Sequence, residues 1–376
     1  MSRTVPLSVL DLAPVSTGQT GGEALRTAVD LAGRVEGFGY HRYWLAEHHL
    51  APGVASAAPA VLAEAAAART STIRVGSAAV LLGNVTPLEA AEQFGTVAQL
   101  HPGRVDLGLG RSVLTHLDEL AGPKAQPAAQ RRERTVDGLL VPAPPAGAGG
   151  KRRLERLREQ ADLLAVPAGE RPYREQVEEV LAFLGGTHRG AGGELHSVPA
   201  EGADLDVWVL GSSAGPSARA AGALGLPFAA SYHISPSTVL ETVEAYRAAF
   251  APAAGRPEPQ VVVSADVVVA DDDETARELA EPYAEWVHSI RVGDGADRYR
   301  SPGQARAARW TDEARALVDD RVRTQFVGSP GRVVQGLRAL QRGTGADELL
   351  ITTVTHEHAD RVRSYELLAR AWQRAG

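Results

Sequence analysis

The sequence predicts an α/β fold, a (β/α)8 barrel, and three observations carry that expectation. Short β-type runs alternate with longer helical patterns along the chain. The runs number eight, which implies closure into a barrel rather than an open sheet. Glycine and proline punctuate the helical stretches where ends and starts need them.

The strand runs are Leu7–Asp11, Arg42–Ala46, Ile73–Ala78, Arg104–Gly108, Asp206–Leu210, Pro227–Ser231, Val261–Ala270 and Glu348–Thr353. Helical patterns cover Gly22–Phe38, Ala57–Arg69, Pro87–Leu100, Tyr173–Leu184, Ser217–Leu224, Pro236–Phe250, Glu274–His288, Arg332–Arg342 and Ala359–Arg374. Gly37 and Gly39 end the first helix, and Gly222 and Gly225 flank the end of another. Pro87, Pro236 and Pro330 stand near helix starts, where a missing N–H costs little.

Two stretches break the rhythm of the single domain expected over residues 1–376. Gly122 to Arg171 contains AGPKAQPAAQ, VPAPPAGAGG and KRRLERLREQ. Its Pro/Gly/Ala portions read as flexible loop, so residues 112–171 are expected to be a variable, partly flexible insertion after strand four. It would project from the C-terminal face, where barrel active sites lie, as a lid or as a plain disordered insertion. The second, Val287 to Thr311, separates strands seven and eight and is expected to add a short helix or hairpin.

Composition removes several functions. The net charge of −7 argues against a nucleic-acid or anionic-membrane binder. Cysteine is absent, so thiol nucleophiles, disulfides and thiolate metal sites are excluded. Lys124 and Lys151 are the only lysines, and neither lies in a strand, which removes a Schiff-base lysine from the barrel. MSRTVPLSVLDL lacks the apolar core of a signal peptide, and no run of about 18 apolar residues offers a membrane span. The expected location is cytoplasmic.

Four segments could carry chemistry. Tyr43 to His49, YWLAEHH, begins in strand two and runs into its C-terminal loop. Side chains alternate along a strand, so Glu47 and His49 share one side and His48 takes the other. A Glu-His-His cluster at the catalytic end of a barrel strand suits acid–base work better than metal binding. Strand one offers no His-x-His for a metal. His356-Glu357-His358, after strand eight, could line the same mouth or cap the last helix.

Gly108-Leu109-Gly110-Arg111-Ser112 begins like GxGxxG, but Val113 replaces the last glycine. Its glycines permit close backbone approach, and Arg111 is available to an anion. Gly211-Ser212-Ser213-Ala214-Gly215 opens a helix after strand five. It matches GxSxG, with Ser213 as a hydrolase nucleophile, but five strands precede it and no HGGG-type oxyanion segment is visible. We read it as a phosphate cradle, compatible with a simple helix cap involving Ser217.

GYHRYWLAEHH, IRVGSAAVLL, HPGRVDLGLGR and VLGSSAGPSARAAGALGLPFA together resemble the bacterial luciferase-like flavin monooxygenases. FVGSP, from Phe326 to Pro330, and GADELLITT resemble the family's closing segment. The resemblance covers Leu7 to about Arg111 and Asp206 to the end, and leaves out Gly122–Arg171. It implies a TIM barrel that binds reduced FMN or, in one branch, a deazaflavin coenzyme. His48 matches the family's catalytic histidine, with Glu47 and His49 beside it, and Ala78-Ala79 matches a non-prolyl cis peptide beneath the flavin. Gly110, Arg111, Gly211, Ser212, Ser213 and Ser217 fall where the family holds the cofactor phosphate. Luciferase has a glutamate and a serine where Ser213 and Ala214 stand, and a cysteine at Gly110. The implied activity is hydroxylation of, or oxygen insertion into, a small organic substrate. A separate NAD(P)H-dependent flavin reductase would supply the reduced FMN. A homodimer is compatible with the family. The alternatives are a deazaflavin-dependent dehydrogenase, a non-catalytic flavin-binding protein and a serine hydrolase. No metal is implied.

Overall fold

The structure is a computed structural model that describes residues 4–117, 132–145, 151–164, 171–253, 255–293 and 295–375. Eight strands form its centre: β1 (Leu7–Asp11), β2 (Arg42–Leu45), β3 (Arg74–Ser77), β4 (Val105–Arg111), β5 (Leu205–Gly211), β6 (Phe228–Ser231), β7 (Val261–Val269) and β8 (Glu348–Thr352). Each pairs in parallel with the next, and β8 returns to β1 through Leu7↔Leu349 and Val9↔Ile351. The sheet is therefore a closed TIM barrel.

Helices surround it: α1 (Gly21–Phe38), α2 (Pro59–Arg69), α3 (Pro87–Leu100), α4 (Lys151–Leu163), α5 (Tyr173–Leu184), α6 (Pro216–Ala223), α7 (Val239–Ala249), α8 (Asp273–Ala280), α9 (Tyr283–Val292), α10 (Pro302–Arg306), α11 (Asp312–Thr324), α12 (Pro330–Thr344) and α13 (His358–Arg374). Local signals set their ends. Thr20 with Glu23, and Thr86 with Glu89, close capping boxes on α1 and α3. Gly39, at φ 86°, ends α1 in the left-handed conformation that glycine adopts without steric cost.

Strand alternation divides the core in two. On β7, Val261, Val263, Ala265, Val267 and Val269 face the helices, while Val262 joins an inner cluster. On β2, Tyr43 and Leu45 face out, and Trp44 and Ala46 face in.

The base of the barrel holds charge. Asp106, fully buried, accepts from Arg42 Nη1 at 2.7 Å, Arg74 Nη2 at 2.6 Å and Trp44 Nε1 at 2.8 Å. Arg42 reaches on to the Glu348 carboxylate at 3.2 Å, and Arg74 to Asp206 at 2.9 Å. An aromatic layer lies above: Trp44 and Trp208 meet edge-on at 5.2 Å, with Arg42 4.8 Å from the Trp208 ring. Beside this layer β3 and β4 come so close that a Cβ on Gly108 would lie 2.0 Å from the Ser77 carbonyl oxygen.

Several boundaries differ from expectation. β4 runs to Arg111 rather than Gly108, because the short strand Val80–Leu82 pairs with its end. Gly110 and Arg111 are thus strand residues, not loop. The helix expected at Glu274–His288 is two, α8 and α9, divided at Pro282. The excursion between β7 and β8 holds α10 and the unanticipated α11. Within the insertion, the described residues form a hairpin, Arg134–Val136 with Leu139–Val141, and helix α4; its Pro/Gly/Ala-rich portions lie mostly outside the described residues. Asp137 and Gly138 turn the hairpin at φ 51° and 84°, as a type I′ turn requires. None of the described helices is long and apolar enough to cross a membrane.

Replacing Asp106 leaves one buried and one half-buried guanidinium group, Arg42 and Arg74, without their shared carboxylate. Asp106→Ala is expected to lower unfolding free energy by about 3–5 kcal/mol in urea titrations, whereas Glu178→Ala, which breaks an exposed pair with Arg174, costs under about 1 kcal/mol. Equal losses in the two variants would contradict the role given to the buried cluster.

Candidate active site

The C-terminal end of β2 delivers Glu47 and His48 in opposite directions, as alternation demands. The backbone there is anchored by His48 N donating to the Ser56 carbonyl at 2.8 Å. Glu47 is buried and turns towards the neighbouring loops. Its carboxylate accepts from Leu81 N at 2.9 Å and Asn84 Nδ2 at 3.1 Å, and lies 3.0 Å from His49 Nε2. Asn84 in turn accepts from the Ser112 hydroxyl at 2.6 Å. Glu47 therefore ties together the loops after β2, β3 and β4. Its hydrogen bond goes to His49, not to His48, which it reaches only through its charge.

His48 keeps exposed surface, yet protein surrounds it closely enough that burial lowers its pKa. Both facts hold when a side chain lines a deep recess. The charge of Glu47 offsets part of the lowering, and His49 adds to it. Across the barrel, His233 follows β6 and is half-buried. Its Nδ1 lies 2.5 Å from the Ser264 hydroxyl of β7. Burial pushes its pKa down to about 3, assisted by the charges of Arg321 and His48. The two histidines thus share one mouth and stay neutral near pH 7. Neither His233 nor Arg321 stands out in the sequence, although His233 follows strand six much as His48 follows strand two.

The Ala78–Ala79 peptide is cis and lies between β3 and Val80–Leu82. A Cβ on Gly110 would come within 3.0 Å of the Ala79 Cβ, so glycine keeps this approach open.

Arg111, at the end of β4, and Ser217, buried in the first turn of α6, meet around Tyr173. The Tyr173 hydroxyl donates to the Leu109 carbonyl at 2.9 Å. Burial raises its pKa, while a Ser217 hydrogen bond and the Arg111 charge oppose that rise. No side chain caps the N-terminus of α6, and Gly211, Ser212, Ser213 and Gly215 lead into it. Ser212 and Ser213 are exposed. A free helix N-terminus flanked by hydroxyls and a guanidinium suits a phosphate dianion. Among the described residues no histidine hydrogen-bonds to Ser213, as a nucleophile elbow would need.

The two histidines that follow β8 diverge. His356 Nδ1 lies 2.8 Å from the Glu357 carboxylate, and His358 Nε2 lies 3.0 Å from Asp30 on α1. Among the described residues no three metal-ligating side chains converge. Helix α4 roofs the mouth beside His48: Arg156 donates to the Leu50 carbonyl, and the backbone of Arg153 packs on Gly293.

The lowered histidine pKa values have a stability consequence. Unfolded histidine titrates near 6.5, so the unfolded chain binds these protons first as pH falls. The stabilisation is complete above pH 6.5 and is lost progressively towards about pH 3, at no more than about 1.4 kcal/mol per pH unit for each group. His233→Gln is expected to flatten the fall in urea-derived stability between about pH 6 and 4 relative to the parent chain. An identical slope would show that His233 does not resist protonation.

A family model described as luciferase-like monooxygenase matches residues 5–348. The protein YvbT of Bacillus subtilis (strain 168) is 38% identical over 369 residues, covering 98% of this chain and 96% of its own. A luciferase-like monooxygenase of Escherichia coli (strain K12) is 33% identical over 365 residues, covering 97% and 96%. The crystal structure of apo-MsnO8 superposes with a TM-score of 0.76 at 30% identity, covering 98% of each chain. Two more distant structures share the fold alone. The oxygenating constituent of 3,6-diketocamphane monooxygenase in complex with FMN has a TM-score of 0.62 at 20% identity, covering 98% and 97%. An F420-dependent secondary alcohol dehydrogenase has a TM-score of 0.59 at 12% identity, covering 98% and 99%. The closed barrel and the matched length agree, and the chain belongs to the luciferase-like monooxygenase family.

Proposed function

We infer that the chain is a flavin-dependent monooxygenase that uses reduced FMN and dioxygen to oxidise a small organic substrate. The observation that carries this reading is the cluster of Arg111, Tyr173 and Ser217 at the uncapped start of α6. Arg111 and the α6 N–H groups would hold the cofactor phosphate, with Ser212 and Ser213 as further donors. Ala78–Ala79 and Gly110 would form the close-packed surface beneath the ring system. The bound cofactor supplies the activation of dioxygen.

The chain's own residues would do the rest. His48, neutral and facing the recess, would accept or return a proton at its imidazole. Glu47 would position it indirectly, by fixing the loops on either side. Helix α4 would limit water entry over the mouth. A separate NAD(P)H-dependent reductase would deliver the reduced flavin. The FMN complex among the distant structures supports the cofactor choice, and the F420-dependent dehydrogenase on the same fold keeps a deazaflavin as the second reading.

Anaerobic titration with reduced FMN, then with reduced deazaflavin, separates the two. Tight FMN binding followed by dioxygen consumption on mixing is expected. Arg111→Ala is expected to weaken FMN binding by roughly tenfold to a hundredfold, the scale of a charge-assisted hydrogen bond. His48→Ala should retain FMN while losing about 10²- to 10⁴-fold in substrate-coupled turnover. Tight deazaflavin binding without dioxygen uptake would overturn the monooxygenase reading.

A further inference from the structure

The interior formed by β5 to β8 and the excursion after β7 holds several buried polar atoms without partners, on Trp208, Trp286, Tyr299, Arg321 and Thr352. Trp208 stands on the inner face of β5, 1% exposed, and its Nε1 has no acceptor. Trp286 and Tyr299 pack in the same inner cluster, and the Trp286 Nε1 and the Tyr299 hydroxyl are likewise without partners. Arg321 of α11 is 6% exposed, with its Nη2 3.3 Å from Asp266 of β7. Its guanidinium carbon lies 5.4 Å from the Tyr283 ring centre and 6.0 Å from that of Trp286. Its Nε has no acceptor. Buried polar atoms are nearly always paired, so the unpaired Arg321 Nε, beside three more unpaired donors in the adjoining inner cluster, is a group in search of an acceptor.

His233 joins them. With the Ser264 hydroxyl donating to Nδ1, the neutral ring carries its proton on Nε2, the nitrogen left to donate into the mouth. Arg321 and His48 both lie within electrostatic reach of this ring. The charges on the wall balance, since Asp266 matches Arg321 and the histidines are neutral. An anion would find no uncompensated cation there, and a cation would find the Asp266 carboxylate already matched by Arg321. An uncharged oxygen acceptor satisfies the wall.

We propose that Arg321 and His233 form a substrate-anchoring subsite that binds an uncharged carbonyl-type oxygen and sets that end of the substrate opposite His48. The inference rests on the flavin reading above and adds to it the two residues that choose the substrate. Trp44 and Trp208 form the aromatic floor beneath, with ring centres 5.2 Å apart. Arg321 meets the substrate oxygen directly, and its planar donor set is held by Asp266 and by the faces of Tyr283 and Trp286.

The test uses the full chain loaded with FMN and two probes of equal shape, acetophenone and α-methylstyrene, which differ in the oxygen. Tryptophan fluorescence reads affinity, and the infrared band of carbonyl-labelled acetophenone reads the hydrogen bond. Acetophenone is expected to bind at least tenfold more tightly, with its carbonyl band shifted to lower frequency. His233→Phe and Arg321→Met should each abolish that preference and shift while FMN affinity stays unchanged. Arg321→Lys keeps the charge opposite Asp266 should Arg321→Met fail to fold, and it too should lose the band shift. Equal binding of the two probes, binding of neither, or a preference that survives both His233→Phe and Arg321→Lys overturns the subsite. FMN binding is measured alongside: a chain that prefers acetophenone but rejects FMN keeps the subsite and sinks the flavin reading.

Discussion

The Asp106 carboxylate is the constraint on which the barrel depends. It lies fully buried at the base, between two arginines from the neighbouring strands β2 and β3, and takes a third hydrogen bond from Trp44. A buried ion cluster of this kind need add little net stability, because desolvation offsets much of its attraction. Its larger effect is on register. A one-residue slip of β2 or β4 would carry Arg42 or Asp106 to the helix-facing side, where no partner waits. The cluster also fills the base, with Glu348 and Asp206 extending it to β8 and β5. Trp44 and Trp208 close the next layer. A ligand has only the opposite end of the barrel to enter.

That end inherits the same alternation. The parity that turns Arg42 and Trp44 inward also turns His48 inward, and it turns Glu47 sideways into the loops. Two adjacent residues therefore take unlike tasks. One is a neutral imidazole in a recess, and the other is a carboxylate whose acceptor capacity is spent on Leu81, Asn84 and His49. A carboxylate with three donors gives a stiff joint, because losing any one of them leaves a buried charge less well satisfied. Through Asn84 the joint extends to Ser112, just past Arg111, so the loop carrying His48 and the strand carrying Arg111 are positioned by one chain of hydrogen bonds.

What the sequence reveals follows from how local each feature is. All eight strand positions and most helix ends were legible, because alternation, capping boxes and glycine C-caps act within a few residues. The separation of Glu47 from His48 was legible for the same reason. The extension of β4 to Arg111 was not, since it depends on pairing with Val80–Leu82 some thirty residues away. The hairpin turn at Asp137–Gly138 carries a strong local signal that the surrounding Pro/Gly/Ala-rich sequence obscured. His356 and His358 show how little spacing alone decides: one turns to Glu357 and the other to Asp30. His233 and Arg321 have no distinguishing neighbours along the chain, and only closure of the barrel brings them to the mouth.

The mouth that results has two unlike sides. On the β4–β5 side, Arg111 and the open end of α6 present positive potential. On the β6–β8 side, Arg321 is matched by Asp266, so the unpaired donors near it come without a net charge. Between them His48 and His233 are kept neutral by the protein around them. In the reading proposed here, this asymmetry sorts two ligands by charge before shape matters. A phosphate-bearing cofactor is drawn to the first side, and an uncharged acceptor is left to the second. Had Arg321 lacked its aspartate, both sides would attract the same anion, and the phosphate could seat in either orientation. The buried Arg321–Asp266 pair, which need contribute little to stability, thereby gives the mouth a direction.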